Sequence, residues 1–161
     1  MNTLQKLTVK DAFQLDDEDP IILGFDDEFR HVIENFANHT DLRGVFVVDE
    51  DDRFSGVITR TDLLDWVRVK LGAALLMPLT DLDKTIRLSN LVSATTVVDI
   101  LRQETNIVAV FANDTLAHAL HMMIEADLIV LPVINESHHI IGNLTLSELL
   151  HQVLTISQED H

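Results

Sequence analysis

The stretch GVITRTDLLDWV, residues 56–67, decides the fold because a second copy, GNLTLSELLHQV, occupies residues 142–153. Each copy contains a glycine, a threonine three positions later, an acidic residue three positions after the threonine, and then two leucines. A threonine followed at this spacing by a carboxylate is typical of a helix start, since both side chains can pair with the free N–H groups there. The stretch therefore predicts a strand that runs into a capped helix, twice.

The repeat extends far beyond this stretch. A shift of 86 residues lays the second half of the chain on the first, without gaps from Gly24 onward. The matched pairs include Phe25 with Phe111, Val47 with Val133, Gly56 with Gly142, and Thr59 with Thr145. In each copy, apolar runs and helical stripes alternate in the order strand, helix, strand, strand, helix. This order predicts a parallel crossover followed by a hairpin.

The predicted fold class is α+β, with two β-α-β-β-α repeats. Neither repeat is large enough to be stable alone, so we expect the two sheets to pack together with pseudo-twofold symmetry. The predicted domains are residues 1–70 and 95–161, the latter with a short tail, and residues 71–94 connect them. TTVVDIL at 95–101 echoes LTVKDAF at 7–13 with a two-residue gap. We expect Asp26 and Asp27, and Asn113 and Asp114, to cap the first helix of each repeat.

Composition excludes several classes of function. The 161 residues include 27 Asp and Glu against 11 Lys and Arg, a net charge of −16, which argues against nucleic acid and anionic membranes as partners. The chain has no cysteine, so thiolate chemistry and disulfides are excluded. The longest apolar run, 71–79, is too short to span a bilayer, and the start lacks the apolar core of a signal peptide. We expect a cytoplasmic protein without membrane insertion.

The chain resembles a tandem pair of cystathionine-beta-synthase (CBS) domains, known as a Bateman module. The resemblance rests on VFVVDEDDRFSGVITRTDLLDWV at 45–67 and IVLPVINESHHIIGNLTLSELLHQVL at 129–154, and it covers roughly residues 7–153. It implies a regulatory module that binds an adenosine-containing ligand, such as AMP, ADP, ATP or S-adenosylmethionine, and requires no cofactor. It leaves no room for a catalytic domain.

The ligand motif of this family is matched in full by Gly56–Asp62. The resemblance implies that the Thr59 hydroxyl and nearby helix-start amides bind phosphate, and that Asp62 accepts the ribose hydroxyls. Arg60 is expected to add a charged contact to phosphate. The second copy keeps Thr145, but Glu148 replaces the aspartate, so ribose binding there stays open. Both threonine–acid pairs also have a purely structural interpretation as helix caps.

Five further residues are candidate contacts. The resemblance implies that adenine lies against Ile21 and Ile22 in one copy and against Ile107 and Val108 in the other. Arg43 precedes a predicted strand at a position from which it can reach the cleft between the copies. The alternative for the four aliphatic residues is plain core packing, and for Arg43 a solvated loop.

Two functions remain open from the sequence. The module is either a sensor that signals to an effector protein by conformational change, or a dimeric scaffold or adaptor with a vestigial ligand site. An enzyme is not expected, because no nucleophile–base pair, glycine-rich phosphate loop or His-Glu metal motif is present. His118 and His121 lack a third ligand at suitable spacing, so no metal site is predicted.

The sequence also suggests preferences in ligand and assembly. The negative charge favours AMP, S-adenosylmethionine or a magnesium complex over bare ATP. The apolar face of the helix that contains Leu63, Leu64, Trp66 and Val67 predicts a homodimer, with Trp66 at or near the contact.

Overall fold

The computed structural model describes residues 3–13, 20–75, 78, 80–101 and 108–159. Two three-stranded sheets organise the described chain. The first has the order β1 (Ile22–Gly24), β2 (Val45–Val48), β3 (Phe54–Ile58), and the second β4 (Val110–Phe111), β5 (Val130–Ile134), β6 (Ile140–Thr145). The first two strands of each sheet pair in parallel, and β5 pairs antiparallel with β6. The predicted α+β class and its parallel crossovers are confirmed.

Eight helices accompany the strands in the described residues. They are α1 (Thr3–Lys6), α2 (Val9–Phe13), α3 (Phe29–Asn38), α4 (Arg60–Leu75), α5 (Asp81–Ser93), α6 (Val97–Ile100), α7 (Leu116–Ala126) and α8 (Leu146–Glu159). Helices α3 and α7 form the crossovers, and α4 and α8 follow β3 and β6. None of these helices combines the length and the apolar character that a bilayer crossing requires.

The described residues form two compact units that do not follow the order of the repeats. One unit contains residues 1–21, 51–54 and 105–161, and the other contains 22–50 and 55–104. The segment before each repeat therefore packs with the opposite repeat. The boundaries 1–70, 71–94 and 95–161 remain a prediction about the order of the repeats along the chain, and the compact units are composed differently.

Backbone hydrogen bonds hold the two segments that precede the repeats, called the exchanged segments below, in equivalent ways. In the first unit, the Val9 N–H donates to the Asp114 carbonyl at 2.8 Å and the Leu116 N–H to the Leu7 carbonyl at 2.9 Å. In the second unit, the Val97 N–H donates to the Asp27 carbonyl at 2.9 Å, and the Phe29 N–H to Thr95 at 3.1 Å. Each segment thus satisfies backbone groups at the start of a crossover helix.

Each exchanged segment also supplies residues to an apolar core. In the first unit, Val9 and Ala12 are fully buried together with the central residues of β5 and α7. In the second unit, Val97 is fully buried and Ile100 is 8% exposed. Burial of a valine side chain stabilises a fold by roughly 2 kcal/mol, so each core depends on a segment that the sequence places beside the other repeat.

The gapless shift of 86 residues is wrong for the first half of each repeat. Gly24 and Phe111 hold equivalent positions, as do the helix starts Phe29 and Leu116, and both pairs are 87 residues apart. The hairpins keep the shift of 86. The reason is the end of α7, where Asp127 adopts φ 55° and the Leu128 N–H donates to the Met123 carbonyl. This left-handed turn ends the helix tightly. The second repeat therefore uses one residue fewer between the start of this helix and the hairpin than the first repeat does.

The predicted capping residues of α3 and α7 are also wrong. The N-caps are Glu28, which makes no side-chain capping bond, and Thr115, whose hydroxyl accepts the His118 N–H. The Asp27 carboxylate instead accepts the Gly24 N–H at 2.7 Å, and Asp114 accepts the Phe111 N–H at 2.8 Å. These aspartates close turns at the strand ends, which is a frequent role of aspartate.

Trp66 belongs to the core of its own unit. It is 8% exposed, and its ring centroid lies 4.9 Å from that of Phe29 at a tilted angle. The indole therefore has little surface of its own left to bury in a dimer, and the expectation that Trp66 lies at or near a dimer contact stays a prediction. Among the α4 side chains that the structure describes, Leu64 and Val69 are the exposed large apolar ones.

Substitution of two adjacent valines tests how the segment before the second repeat packs. Val97→Ala removes two buried methyl groups and should lower the free energy of unfolding by about 1–2 kcal/mol. Val98→Ala is the matched control, because Val98 is 45% exposed and its loss should change stability by less than about 0.5 kcal/mol. Urea denaturation measures both variants, and equal effects would contradict the assigned packing.

Candidate functional site

The first ligand motif lies at the junction of β3 and α4. The Asp62 carboxylate accepts two hydrogen bonds from Thr59, one from its backbone N–H at 2.7 Å and one from its hydroxyl at 3.1 Å. The Asp62 N–H donates in turn to the Thr59 carbonyl at 3.1 Å. Thr59 and Asp62 are both partly buried. The structure therefore brings these two predicted residues together at the start of a 16-residue helix.

The second motif has the same hydrogen bonds despite its longer acid. The Glu148 carboxylate accepts the Thr145 N–H and the Thr145 hydroxyl, each at 2.9 Å. The Glu148 N–H donates to the Thr145 hydroxyl at 3.2 Å, which completes a reciprocal capping box. The extra methylene of Glu148 is accommodated within the cap, so the replacement preserves this local function of the pair.

Two short helices begin with the same arrangement outside the predicted site. Asp11 accepts the N–H and hydroxyl of Thr8 at 2.9 and 3.0 Å, and Asp99 does the same with Thr96 at the same distances. These hydrogen bonds, backbone first and hydroxyl second, lower the pKa of Asp99 below its ordinary value. Since the arrangement recurs away from the motif, the threonine–acid contact is by itself a cap and no proof of ligand binding.

Arg60 turns toward the end of α3. Its Nη2 atom donates to the carbonyl oxygens of Phe36 at 3.1 Å, His39 at 2.9 Å and Thr40 at 3.3 Å. Its guanidinium carbon also lies 4.9 Å from the centre of the Phe36 ring. A cation at a helix C-terminus pairs with carbonyls that lack partners within the helix. Arg60 thus ties α4 to α3, a role that the sequence analysis did not predict.

Gly56 packs closely against Leu101. A Cβ atom at this position would lie 2.7 Å from the Cδ2 atom of Leu101, so the end of that leucine side chain would have to shift to accommodate it. Leu101 follows α6 in the segment that precedes the second repeat. The motif glycine therefore contacts a side chain of that segment.

The remaining predicted residues are placed as follows. Ile22 lies on β1, opposite Phe46 of β2, and is 42% exposed, whereas Ile21 is half-buried just before the strand. Val108 is half-buried against the core of the first unit. Arg43 is exposed between α3 and β2. Ile107 lies outside the described residues.

Histidines do not form a metal centre in the described part of the chain. His121 pairs with Glu125 on α7, with 3.1 Å between its Nε2 atom and the carboxylate, and both side chains are exposed. Across residues 3–13, 20–75, 78, 80–101 and 108–159, no three His, Asp or Glu side chains come close enough to hold an ion.

Replacement of Arg60 tests its structural role. Arg60→Ala removes the three carbonyl contacts and the cation–π contact, so it should lower the free energy of unfolding by about 1–2 kcal/mol. Arg68→Ala is the control, because its ion pair with Asp65 is largely exposed and contributes about 0–0.5 kcal/mol. A loss from Arg60→Ala as small as the control in urea denaturation would contradict this role.

The pKa of Asp99 provides a test of the cap itself. Its folded-state pKa lies below the ordinary value of 3.8, so the cap stabilises the fold above that pH and is lost as pH falls through the lowered pKa. Carboxyl-carbon NMR titration should show this depression, and Thr96→Val should raise the Asp99 pKa toward 3.8. Lys70→Ala should raise it less, because the Lys70 charge is the smallest of the contributing causes. A Thr96→Val variant that leaves the value unchanged would contradict the assignment.

Comparison with protein families yields a clear match. A family model described as the CBS domain matches the chain twice, over residues 9–69 and 93–155. The two matched segments contain the two threonine–acid motifs and the two sheets. A search of curated proteins found no match.

Solved structures share the fold. A CBS domain-containing protein from Thermotoga maritima is 22% identical, with a TM-score of 0.69, over 89% of this chain and 92% of that one. CBSX2, solved in complex with AMP, is 21% identical, with a TM-score of 0.64, over 94% and 98% of the two chains. The CBS domain pair of MJ0100, solved with 5′-methylthioadenosine and S-adenosyl-L-methionine, is 15% identical, with a TM-score of 0.58, over 89% and 97%.

These neighbours share the overall fold of this chain, and the family match covers both repeats. The chain therefore belongs to the CBS domain family and contains two tandem copies of the domain.

Proposed function

We propose that this CBS pair is a regulatory module that binds an adenosine-containing ligand and passes the signal to an effector protein by conformational change. CBS domain pairs are generally regulatory modules rather than enzymes, and we extend that role to this chain. Similar folds have been solved with AMP and with S-adenosyl-L-methionine, which supports the ligand class. We place this activity in the cytoplasm and assign the module no catalytic step.

The main support for the proposal is the arrangement of side chains and backbone amides at the start of α4. Thr59 and Asp62 are fixed there by their mutual hydrogen bonds, and the first N–H groups of a helix have no acceptor within the helix itself. The amides of Arg60 and Thr61 belong to that group. Such amides, with the helix dipole, favour an anion such as a phosphate.

The roles within the site follow from the contacts. Asp62 is assigned to the ribose hydroxyls, because a carboxylate accepts several hydrogen bonds and bonds of this kind are strong. The Arg60 guanidinium already donates to three carbonyls, so we assign the phosphate to the backbone amides and the Thr59 hydroxyl rather than to Arg60. Ile22, an exposed apolar residue on β1, is proposed as an adenine contact.

The second motif supports a weaker site. Glu148 is engaged by Thr145 in a reciprocal box, and its carboxylate stands one methylene farther from the backbone than an aspartate. Thr145, Val108 and Ile107 are the proposed contacts of this copy, and Arg43 a proposed contact of the first. We expect ligand to occupy the Asp62 site with higher affinity than the Glu148 site.

Charge narrows the choice of ligand. A chain with a net charge of −16 repels a polyanion at long range. AMP carries fewer charges than ATP, S-adenosylmethionine is not an anionic phosphate, and magnesium neutralises part of the ATP charge. We therefore propose AMP, S-adenosylmethionine or a magnesium complex ahead of bare ATP or ADP.

Isothermal titration of ligand-free protein tests the proposal. AMP, ADP, S-adenosylmethionine and ATP, the last with and without magnesium, are the titrants, and at least one should bind with micromolar affinity. Asp62→Ala should weaken that affinity by about tenfold or more, as expected for the loss of hydrogen bonds to a charged group. Glu148→Ala should weaken it less.

The matched control is Asp99→Ala. Asp99 makes the same two bonds to its threonine as Asp62 makes, but it lies outside the motif, so its removal should leave affinity unchanged. Equal losses from Asp62→Ala and Asp99→Ala would indicate general destabilisation and contradict the site. Absence of binding by every ligand would favour the second candidate, a dimeric scaffold or adaptor with a vestigial site.

One observation supports the second candidate function, a dimeric scaffold or adaptor. The threonine–acid cap occurs at α2 and α6 as well as at α4 and α8, so it serves helix starts without any ligand. In both functions we propose a homodimer as the working assembly.

A further inference from the structure

The two copies of the motif differ in the residues beside their helix starts. The hairpins keep the shift of 86 residues, which matches Arg43 with Ile129 and Arg60 with Leu146. Arg43 and Arg60 are both exposed. Ile129 is 50% exposed, and Leu146 packs partly buried against the core of its unit. Two cations in the first copy are therefore replaced by two aliphatic side chains in the second.

This replacement changes the local charge. Residues 41–44 and 59–62 of the first copy contain two acidic and two basic residues, so their net charge is zero. The matched residues 127–130 and 145–148 contain two acidic residues and no basic one, so their net charge is −2. Like charges repel, so a phosphate group meets a local repulsion at the second copy that is absent at the first.

The hairpin also extends closer to the helix in the second copy. Strand β5 begins at Val130 and β6 ends at Thr145, and these two residues pair with each other. The matched strands of the first copy stop one residue earlier at this end, because β2 begins at Val45 and β3 ends at Ile58. Main-chain pairing therefore continues one residue farther toward α8 than toward α4.

This extension uses an amide at the start of α8. The Leu146 N–H, the first of this helix, donates to the Ile129 carbonyl at 2.9 Å. Within residues 20–75, whose backbone the structure describes throughout, no equivalent hydrogen bond joins the Arg60 N–H to the Arg43 carbonyl. The first copy thus retains the Arg60 amide for an incoming anion, whereas the matched amide of the second copy already has an acceptor.

An anion at a helix start requires N–H groups that are free to donate. Such groups bind phosphate because they have no acceptor within the helix. The Leu146 N–H would have to give up its hydrogen bond to the Ile129 carbonyl, so its net gain from a phosphate is small. The exposed Ile129 side chain instead offers an apolar surface, which stabilises uncharged groups by removing them from water.

We infer that the second copy selects adenosine-type ligands that lack a phosphate group, whereas the first copy favours phosphorylated ones. The Ile129 carbonyl and the side chains of Ile129 and Leu146 determine this selectivity. The ligand class of the second copy is an adenosine derivative with an uncharged or cationic substituent, which suits the local charge of −2. The inference rests on the proposed function, since it divides the adenosine-containing ligands between the two motifs.

Adenosine and AMP are the matched probes, because they differ only in the phosphate. NMR titration of the isotope-labelled full chain follows the Thr61 amide for the first copy and the Ser147 amide for the second. AMP should bind the first copy about tenfold more tightly than adenosine does, as expected for hydrogen bonds to a charged group. Adenosine should bind the second copy at least as tightly as AMP does.

The outcomes separate this inference from the proposed function. Tighter binding of AMP than of adenosine at the second copy overturns the inference, and so does binding of both probes at the first copy alone. The proposed function stands in both cases, because an adenosine ligand is still bound. If neither copy responds to either probe or to S-adenosylmethionine, the proposed function fails and the inference fails with it.

Exchange of the matched residues tests the cause of the selectivity. Arg43→Ile should reduce the preference of the first copy for AMP about threefold, and Ile129→Arg should shift the second copy toward AMP by a similar factor, as expected for one exposed charge. Arg68→Ala is the control, because Arg68 lies about two turns beyond Arg60 on α4 and pairs with Asp65. The control should change neither preference, and an Ile129→Arg variant with unchanged preference overturns the proposal.

Hydrogen exchange in the ligand-free protein tests the backbone difference between the copies. The Leu146 amide should exchange about tenfold more slowly than the Arg60 amide after correction for sequence effects, because a hydrogen-bonded amide exchanges only when its bond opens. Equal rates would show that the Ile129 carbonyl does not occupy the Leu146 amide, and would overturn the inference.

Discussion

The interaction on which the structure depends is a carboxylate that accepts both the N–H and the hydroxyl of a threonine three residues earlier. It occurs at Thr59–Asp62 and Thr145–Glu148, where each hairpin passes into its last helix, and at the segments before the two repeats. Each pair satisfies donors that a helix start leaves free. It therefore fixes the residue at which the helix begins, and with it the backbone amides that the proposed ligand site uses.

A second constraint is the exchange of the segments that precede the repeats. Val9 completes the core of the unit built on the second repeat, and Val97 completes the core built on the first. A chain cut into its sequence repeats would expose both cores, at a cost of roughly 2 kcal/mol for each lost valine alone. The two CBS domains are consecutive in sequence, yet each compact unit needs chain from both.

The site illustrates how one motif serves structure and function together. Gly56 accommodates Leu101, Thr59 and Asp62 cap α4, and Arg60 holds the end of α3. These roles exist before any ligand arrives, so the residues proposed to bind adenosine are already positioned. Such preorganisation lowers the entropic cost of binding. It also explains why a residue change at the motif must be compared with a cap outside it before a loss of affinity is assigned to the ligand.

The sequence by itself determined the α+β class, the two repeats and the threonine–acid pairs, because hydrophobic period and capping chemistry are local. The family followed from the resemblance of the two motif-bearing stretches to CBS domains, which the family match confirms. Only the tertiary structure decided the rest. Trp66, expected on an apolar helix face at or near a dimer contact, packs on Phe29. Arg60, expected to contact phosphate, donates to the carbonyls of α3. The one-residue difference between the repeats arises from the left-handed turn at Asp127. These features depend on contacts between residues distant in sequence or on a backbone conformation that the residue type permits without requiring it.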